Sequence, residues 1–381
     1  MKKVGLITYY GENYGGMLQA YALGRYVTEA GMECRIISND FLYMGGDKEG
    51  RAKQLKKNLK GFLRHPVDYL QRRSIMRRFA GERGRKSLKF REFAKKHLSV
   101  HHTGYTSYEQ YVENPPEYDV YLCGSDQIWN PNLYYKNGFY FAGFAPMDKW
   151  KVSYASSIGV SQVTREQGEF MKPYLDRLDV ISTREEDGTN IVRQLTGKPA
   201  RTVIDPTLLL NASQWSEVAA PRLVQEPYIF CYFFGERKYY ERVKKQVREM
   251  TGLKLVSVPF VARDFVSDDE KIYDAGPAEF ISLIQNAELV ITDSFHATAF
   301  SINLKTPFLS LCRFAKDDKA GMNSRLHTIL GAMELTDRLI DEKDTVTKEM
   351  LFQVDFEKAH RNLERLRAQD SSFLLDALAG K

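Results

Sequence analysis

The sequence predicts an α/β chain of two doubly wound parallel sheets, with a basic helical insertion in the first and a helix at the C-terminus. Short apolar, β-branched runs alternate with stretches of helical period along nearly the whole chain, the pattern of strands joined by helical crossovers. The 381 residues are too many for one typical domain and comfortable for two. A hydrophobic content of 43% and a charged content of 27% let each half build a core. No apolar run reaches the roughly 20 residues that span a bilayer.

The elements follow in order. KVGLITYY (3–10) is a strand, and it reads as the start of the fold rather than a secretion signal, because no sustained apolar region follows the lysines. A glycine-containing loop (11–16), a helix (17–31) and a strand (34–40) complete the first β-loop-α-β unit. From 48 to 115 the pattern is helical and basic, broken by His65-Pro66, Gly81 and Gly84, and predicts two or three inserted surface helices. Strand-then-loop patterns return at 118–130 and 151–159, then a helix (164–176), a strand (179–185), a helix (186–196) and a strand (201–210). Residues 221–227 read as a linker. The second unit has strands at 227–235, 253–260, 287–293 and 306–312, and helices at 238–251, 277–286, from 295 and at 322–333. A charged amphipathic helix covers 347–379. The expected domains are 1–220, with its insertion at 48–115, then 221–345, with 346–381 packing back on the first domain. Both domains read as Rossmann-like, and the pair with its terminal helix resembles the GT-B architecture.

Charge and cysteine usage narrow the function. Net charge is +6, but residues 48–96 alone hold 18 Lys/Arg against 4 Asp/Glu. This segment interleaves cations with aromatic and aliphatic residues. It reads either as solvated helical faces over a core stripe or as a dock for an anionic membrane or a lipid-pyrophosphate carrier. No nucleic-acid-binding module accompanies the charge. Cys34, Cys123, Cys231 and Cys312 are far apart and form no CxxC, so they read as buried free thiols of a reducing, cytoplasmic compartment.

In open α/β sheets ligands sit beyond the carboxyl ends of strands. VITDSFHATAFS puts Asp293 and Ser294 at such an end and His296 in the first turn of the next helix. Ser294 can cap that helix. The helix dipole favours an anion there and disfavours a proton on His296 until an anion binds. A histidine whose protonation follows substrate binding suits general acid or base work. The bland alternative is a packed first-turn residue. Arg184, past the end of another strand, suits bidentate recognition of carboxylate or phosphate. A surface ion pair with Glu185 or Glu186 is its alternative. Asn13, Gly15 and Gly16 sit in a loop where backbone can approach a ligand, though the spacing is neither GxGxxG nor a Walker loop. Ser125, Asp126, Gln127 and Asn130 beside Trp129 offer polar groups and an indole face for a sugar, or else form a capped turn over a core tryptophan. Asp205 precedes a proline and is a turn former or a cleft residue. Lys316 and Arg325 lie in a polar stretch that either delivers a cation to the site or is a plain solvated loop. Asp268-Asp269 and Asp317-Asp318 are adjacent pairs rather than Asp-x-Asp, and no His/Cys metal spacing exists, so no metal is expected.

Seven strings occur together in order: GENYGGMLQAYAL, YLCGSDQIWN, SYASSIG, STREE, DPTLL, ITDSFH and NSR. Together they resemble the polysaccharide pyruvyl transferase family, from about residue 3 to residue 335. The resemblance implies a GT-B-like fold. It also implies transfer of a pyruvyl group from phosphoenolpyruvate onto two hydroxyls of a sugar in a cell-surface or exopolysaccharide precursor, giving a ketal and phosphate. On that reading Arg184, the helix N-terminus at 294–296 and Arg325 hold the donor's anionic groups. His296 is the acid, and Asp293, Asp126 or Asp205 serves as base or orients the sugar. No cofactor is required, and the acceptor is nucleotide-linked, lipid-linked or polymeric. Two other readings stand beside it: a GT-B glycosyltransferase using a nucleotide-sugar, and a non-catalytic glycan-binding module.

Overall fold

Two parallel sheets account for the alternation of apolar runs and helices. The computed structural model describes residues 1–38, 66–133, 137–314 and 323–381. The basic residues of 48–65, and Lys316 with Asp317 and Asp318, lie outside the described residues.

Strands β1 (Lys3–Ile7), β2 (Glu33–Ile37), β3 (Val100–His101), β4 (Val120–Cys123) and β5 (Trp150–Ser153) form the first sheet in the order β3-β2-β1-β4-β5. All its pairs are parallel. Bridges Val152–Val180 and Ser156–Thr183 lead on to the parallel pair β6 (Ser182–Thr183) and β7 (Arg201–Thr202). The second sheet holds β8 (Tyr228–Tyr232), β9 (Lys254–Ser257), β10 (Glu270–Lys271), β11 (Leu289–Thr292), β12 (Phe308–Leu311) and β13 (Leu339–Ile340), in the order β10-β9-β8-β11-β12-β13. Each sheet therefore runs 3-2-1-4-5 from its own first strand, the Rossmann order, and ligand crevices open where that order reverses. The reversals lie between β1 and β4 and between β8 and β11. Every residue of β4, β8, β11 and β12 is buried, as helices on both faces of a parallel sheet require.

Two expected elements differ. The strand expected over 201–210 stops at Thr202 and becomes a 3₁₀ turn at Pro206–Leu208. Pro206 cannot donate to a ladder, and Asp205 accepts from the Thr207 N–H, which caps the turn. The single helix expected over 347–379 is two, Lys348–Phe352 and Phe356–Ala379. Asp355 accepts from the Lys358 N–H at 2.9 Å and starts the second one anew.

The halves are joined through aromatic packing. Tyr14, in the helix Tyr14–Glu29, stacks on Phe280 at 4.3 Å and donates to the Ala275 carbonyl at 2.6 Å. The described part of the basic segment is a strap. Its helix Ala80–His97 buries Phe90 and Phe93 against Tyr14 and Tyr21. Across from it, Lys89 pairs with Glu279 (3.0 Å) and Asp274 (3.6 Å), Arg72 pairs with Glu236 (2.6 Å), and Phe79 stacks on Tyr273 at 5.0 Å. The ion pairs are part-exposed and each contributes about 0–1 kcal/mol, so the rings carry most of the attachment.

The helix Phe356–Ala379 crosses back to the first sheet. Lys2 Nζ donates to Leu378 O (2.6 Å) and Trp150 Nε1 to Ala377 O (2.7 Å). Asp370, 1% exposed, accepts from the Ile204 N–H (2.8 Å) and from Arg201 (2.8 Å). This contact fixes the backbone one residue before Asp205. Asp370→Ala strands a buried N–H and is expected to lower unfolding free energy by about 1–3 kcal/mol. Arg201→Met, at an exposed partner, is expected to cost less than about 1 kcal/mol. Urea denaturation of the two variants checks the order.

Candidate active site

The loops after β1, β4, β6 and β7 meet the first turn of the helix Phe295–Asn303. Arg184 lies at the centre, 2% exposed. Its Nη1 donates to Asp205 Oδ2 at 2.8 Å and stands 3.3 Å from His296 Nε2; its Nη2 lies 3.5 Å from Asp126 Oδ1. Its carbon end rests over the Phe295 ring at 4.5 Å, so residues 295 and 296 take opposite parts of one guanidinium. A guanidinium only donates, so Nε2 of His296 is the acceptor and the neutral ring carries its proton on Nδ1. That Nδ1 packs on Gly15: a Cβ there would stand 2.0 Å from it, so the position admits only glycine without moving the imidazole.

Two loops around Arg184 are built from local hydrogen bonds. Asp205 takes three donors besides any ligand: Arg184, and the Thr207 N–H (2.9 Å) and hydroxyl (2.8 Å); Ser125 Oγ lies 3.2 Å away and gives its one proton to Ala155 O (2.8 Å). Gln19, buried in the first helix, donates to Thr8, Tyr9 and Gly16 and accepts from the Ser125 N–H at 2.9 Å. Gly15 and Gly16 lie in the first turn of the helix rather than in the expected loop, because Asn13 caps the helix there, and Gln19 stitches that turn to the loop after β4. Asn13 accepts from the Gly16 N–H (3.1 Å) and Ser294 from the Ala297 N–H (3.4 Å), so both side chains serve as helix caps. Asp126 is held at φ +63°, with its carbonyl accepting from Ser157 N, and points one carboxylate oxygen toward Gly16.

Burial governs the electrostatics of the site. Burial pushes the His296 imidazole down to about 4; Asp205 pulls it up, while Arg184 and Arg325 add to the push. Burial alone would raise the Asp205 carboxyl, but His296, Arg184 and the Thr207 N–H hold it below its ordinary value. Arg325, in the first turn of the helix Ser324–Ala332, is buried and makes no ion pair among the described residues. Burial and repulsion from Arg184 push its guanidinium down to about 9, and Glu185 only partly opposes this. The Nε atoms of Arg184 and Arg325, and the hydroxyls of Ser157 and Ser324, are buried without a hydrogen-bond partner among the described residues.

Three sequence readings change. Asp293 is not a free base. Its oxygens accept from Phe234 N (2.7 Å), Gly235 N (2.8 Å), Tyr240 OH (3.0 Å) and Arg313 Nε (3.0 Å), which fills its lone pairs and ties β11 to the loop after β8. Trp129 is not a sugar platform. It is 1% exposed, stacks on Phe141 at 5.3 Å and donates Nε1 to Tyr140 O. Glu185 turns away from Arg184 and accepts from Ile158 N (2.8 Å) and Gly159 N (3.0 Å) instead of forming a surface pair. Asn130 donates to Gln127 Oε1 at 2.8 Å, and the two brace the loop against Gly159. Gln19, Phe295 and Arg313 escaped notice in the sequence. A glutamine inside the apolar helix run MLQAYAL was the one available signal for Gln19. Among the described residues no cluster of His, Cys, Asp or Glu is arranged for a metal.

Asp293→Ala leaves two backbone N–H groups and Arg313 unpaired, and is expected to cost about 3–5 kcal/mol of stability. Guanidinium denaturation showing an unchanged midpoint would make Asp293 a mere surface of the cleft.

The comparisons bear on this constellation. No curated protein matched the sequence. Among solved structures, UDP-GlcNAc 2-epimerase from Neisseria meningitidis bound to UDP-GlcNAc is similar over 100% of both chains, at 10% identity and a TM-score of 0.46. A putative UDP-N-acetylglucosamine 2-epimerase from Listeria monocytogenes is similar over 97% of this chain and 96% of its own, at 11% identity and a TM-score of 0.45. Spinosyn rhamnosyltransferase SpnG complexed with spinosyn aglycone is similar over 100% and 96%, at 12% identity and a TM-score of 0.36. The family model for polysaccharide pyruvyl transferase matches residues 13–311, a span holding Gly15, Asp126, Arg184, Asp205 and His296. With most of its length matched, the chain belongs to the polysaccharide pyruvyl transferase family.

Proposed function

We propose that the protein transfers the pyruvyl group of phosphoenolpyruvate onto two hydroxyls of a sugar in a cell-surface polysaccharide precursor. The observation that carries this reading is the pair of buried guanidinium groups, Arg184 and Arg325, with unfilled donors beside a neutral imidazole. Phosphoenolpyruvate brings a carboxylate and a phosphate, two anions that such donors complement.

The reaction needs one proton in and two out. His296, protonated once the donor's anions sit beside it, delivers a proton to the methylene carbon, and positive character develops at the adjacent carbon. The first sugar hydroxyl attacks that carbon and loses its proton. The second hydroxyl then forms its bond to that carbon as the carbon–oxygen bond to phosphate breaks, and its proton leaves on the phosphate; the first hydroxyl's proton replaces the one His296 gave up, so the ketal and hydrogen phosphate are the only products. Asp126 is the fitting base. Asp205 and Asp293 have their oxygens engaged, whereas among the described residues the carboxylate of Asp126 makes one long contact, with Arg184. Asp205 orients Arg184 and steadies the imidazolium, His296 Nε2 being 3.7 Å away. The scheme as written uses no cofactor. The helix Pro66–Arg78 has no buried residue and exposes Val67 and Leu70 beside Arg73, Arg77 and Arg78. That supports contact with an anionic membrane, which would set the enzyme at its cytoplasmic face.

Donor binding raises the His296 pKa from about 4, so the bound state holds more protons than the free one. Above about pH 4, where the free enzyme has lost the proton and the bound one keeps it, binding takes up protons and weakens as pH rises. Calorimetry of phosphoenolpyruvate binding in buffers of different ionisation enthalpy is expected to show up to about one more proton taken up by the wild type than by His296→Gln. Equal uptake would remove His296 from the site. Gly15→Ala displaces the imidazole and is expected to lower kcat about 10²-fold with little change in melting temperature. Full turnover of that variant would contradict the placement of His296.

A further inference from the structure

Glu185 takes no part in the scheme above beyond bracing a loop. Its Oε1 accepts from the Ile158 and Gly159 N–H groups at 2.8 and 3.0 Å. Its Oε2 is buried with no hydrogen-bond partner among the described residues. The residue is 0% exposed, and a carboxylate so placed is costly unless a cation meets its charge. Arg184 precedes it in the chain, but that guanidinium is spent on Asp205 and Asp126. Glu185 therefore carries a negative charge that the loops of the first sheet leave half used.

The matching surplus comes from the side of the second sheet. Glu185 is the N-cap residue of the helix Glu186–Thr196, and that helix packs on the helix Ser324–Ala332, whose first turn holds Arg325. Arg325 is buried, makes no ion pair among the described residues, and has an Nε without a partner there. Burial and then Arg184 push its guanidinium down to about 9; Glu185 is the first carboxylate to oppose them, ahead of Asp126. Two neighbouring hydroxyls are open as well. Ser157, next to the Ile158 that Glu185 holds, and Ser324, next to Arg325, are buried without a partner among the described residues. An open acceptor at the start of one helix and an open donor at the start of the other thus accompany the packing of the two.

We propose that Glu185 is a positioning residue for Arg325: its free oxygen supplies the counter-charge that holds that guanidinium where the donor's anion meets it and Arg184 together. The inference rests on the pyruvyl-transfer reading, in which both arginines take the donor, and assigns the residue that aligns the second with the first. Glu185 touches no substrate in this account. It acts through Arg325, as Asp205 acts through Arg184.

Two substitutions separate this role from loop bracing. In Glu185→Gln the remaining carbonyl still accepts from Ile158 and Gly159, but the free oxygen becomes an uncharged amide that only donates. Glu185→Asp keeps the charge and, one carbon shorter, reaches the two N–H groups less well. The test measures phosphate release by the full-length protein from phosphoenolpyruvate and an acceptor sugar, per mole of folded enzyme. Glu185→Gln is expected to lower kcat about 10- to 100-fold with little change in KM, and Glu185→Asp to keep more activity than Glu185→Gln. In an Arg325→Met background Glu185→Gln is expected to cost nothing further. The proposal is overturned if Glu185→Gln turns over as the wild type does, if Glu185→Asp is the worse of the two, as bracing alone requires, or if the loss is the same in the Arg325→Met background. Should the wild type release no phosphate from phosphoenolpyruvate, calorimetry of inorganic phosphate binding replaces kcat. Arg325→Met is then expected to weaken binding less in the Glu185→Gln background than in the wild type, which upholds the role of Glu185 while the donor assignment falls. Equal weakening, or no phosphate binding at all, overturns the role as well.

Discussion

The guanidinium of Arg184 is the constraint from which the rest of the site follows. A cation removed from water costs several kcal/mol unless it is paired and hydrogen-bonded. Asp205 and Asp126 supply that pairing from two different loops of the first sheet, at 2.8 and 3.5 Å. The remaining N–H direction of Nη1 meets His296 from the second sheet's helix, which fixes both the tautomer and the orientation of the ring. The support extends outward. Asp205 is set by Thr207, and the backbone before it by Asp370 of the last helix. A residue far from the cleft in sequence thereby helps position the central ion pair. Gly15 closes the opposite side of the imidazole by having no side chain.

Three aspartates near one another carry three different loads, and environment separates them. Asp293 is spent on backbone N–H groups, a tyrosine and Arg313, so it holds the second sheet's loops. Asp205 is spent on Arg184 and its own turn, so it orients. Asp126 keeps open valence and faces the glycine loop. Charge is balanced in the same uneven way. Arg184 has its carboxylates, whereas Arg325 has no ion pair among the described residues and is repelled by Arg184 and Arg313. Burial keeps His296 neutral, and the anion proposed to bind beside the two guanidinium groups opposes that penalty.

Much of the fold was legible because parallel strands buried on both faces read as continuous apolar runs, and helices between them read by their period. Arg184, Asp205, Asp126 and His296 were legible as candidates because each follows a strand end. Their separate roles were not. Asp293 looks as chemical as His296 in the string ITDSFH, and only its partners, which come from β8's loop, the next helix and the loop after β12, reveal that it is occupied. Trp129 sat among polar residues that suggested a sugar, but Phe141 and Tyr140 bury it. The proline after Asp205 signalled a turn, yet the apolar run around it suggested a strand; the missing N–H decided for the turn. The basic insertion showed its charge but not its acidic counterparts, Asp274, Glu279 and Glu236, which lie far along the chain.

The central claim is that a proton reaches the methylene carbon of phosphoenolpyruvate as two acceptor hydroxyls displace phosphate. The most direct measurement is the reaction in heavy water with an acceptor sugar, followed by NMR and by phosphate release. The account predicts that phosphate appears only when the sugar is present, in equal amount to a new ketal whose methyl group carries one deuterium. Phosphate release without the sugar, or a product whose methyl group carries no deuterium, would contradict it.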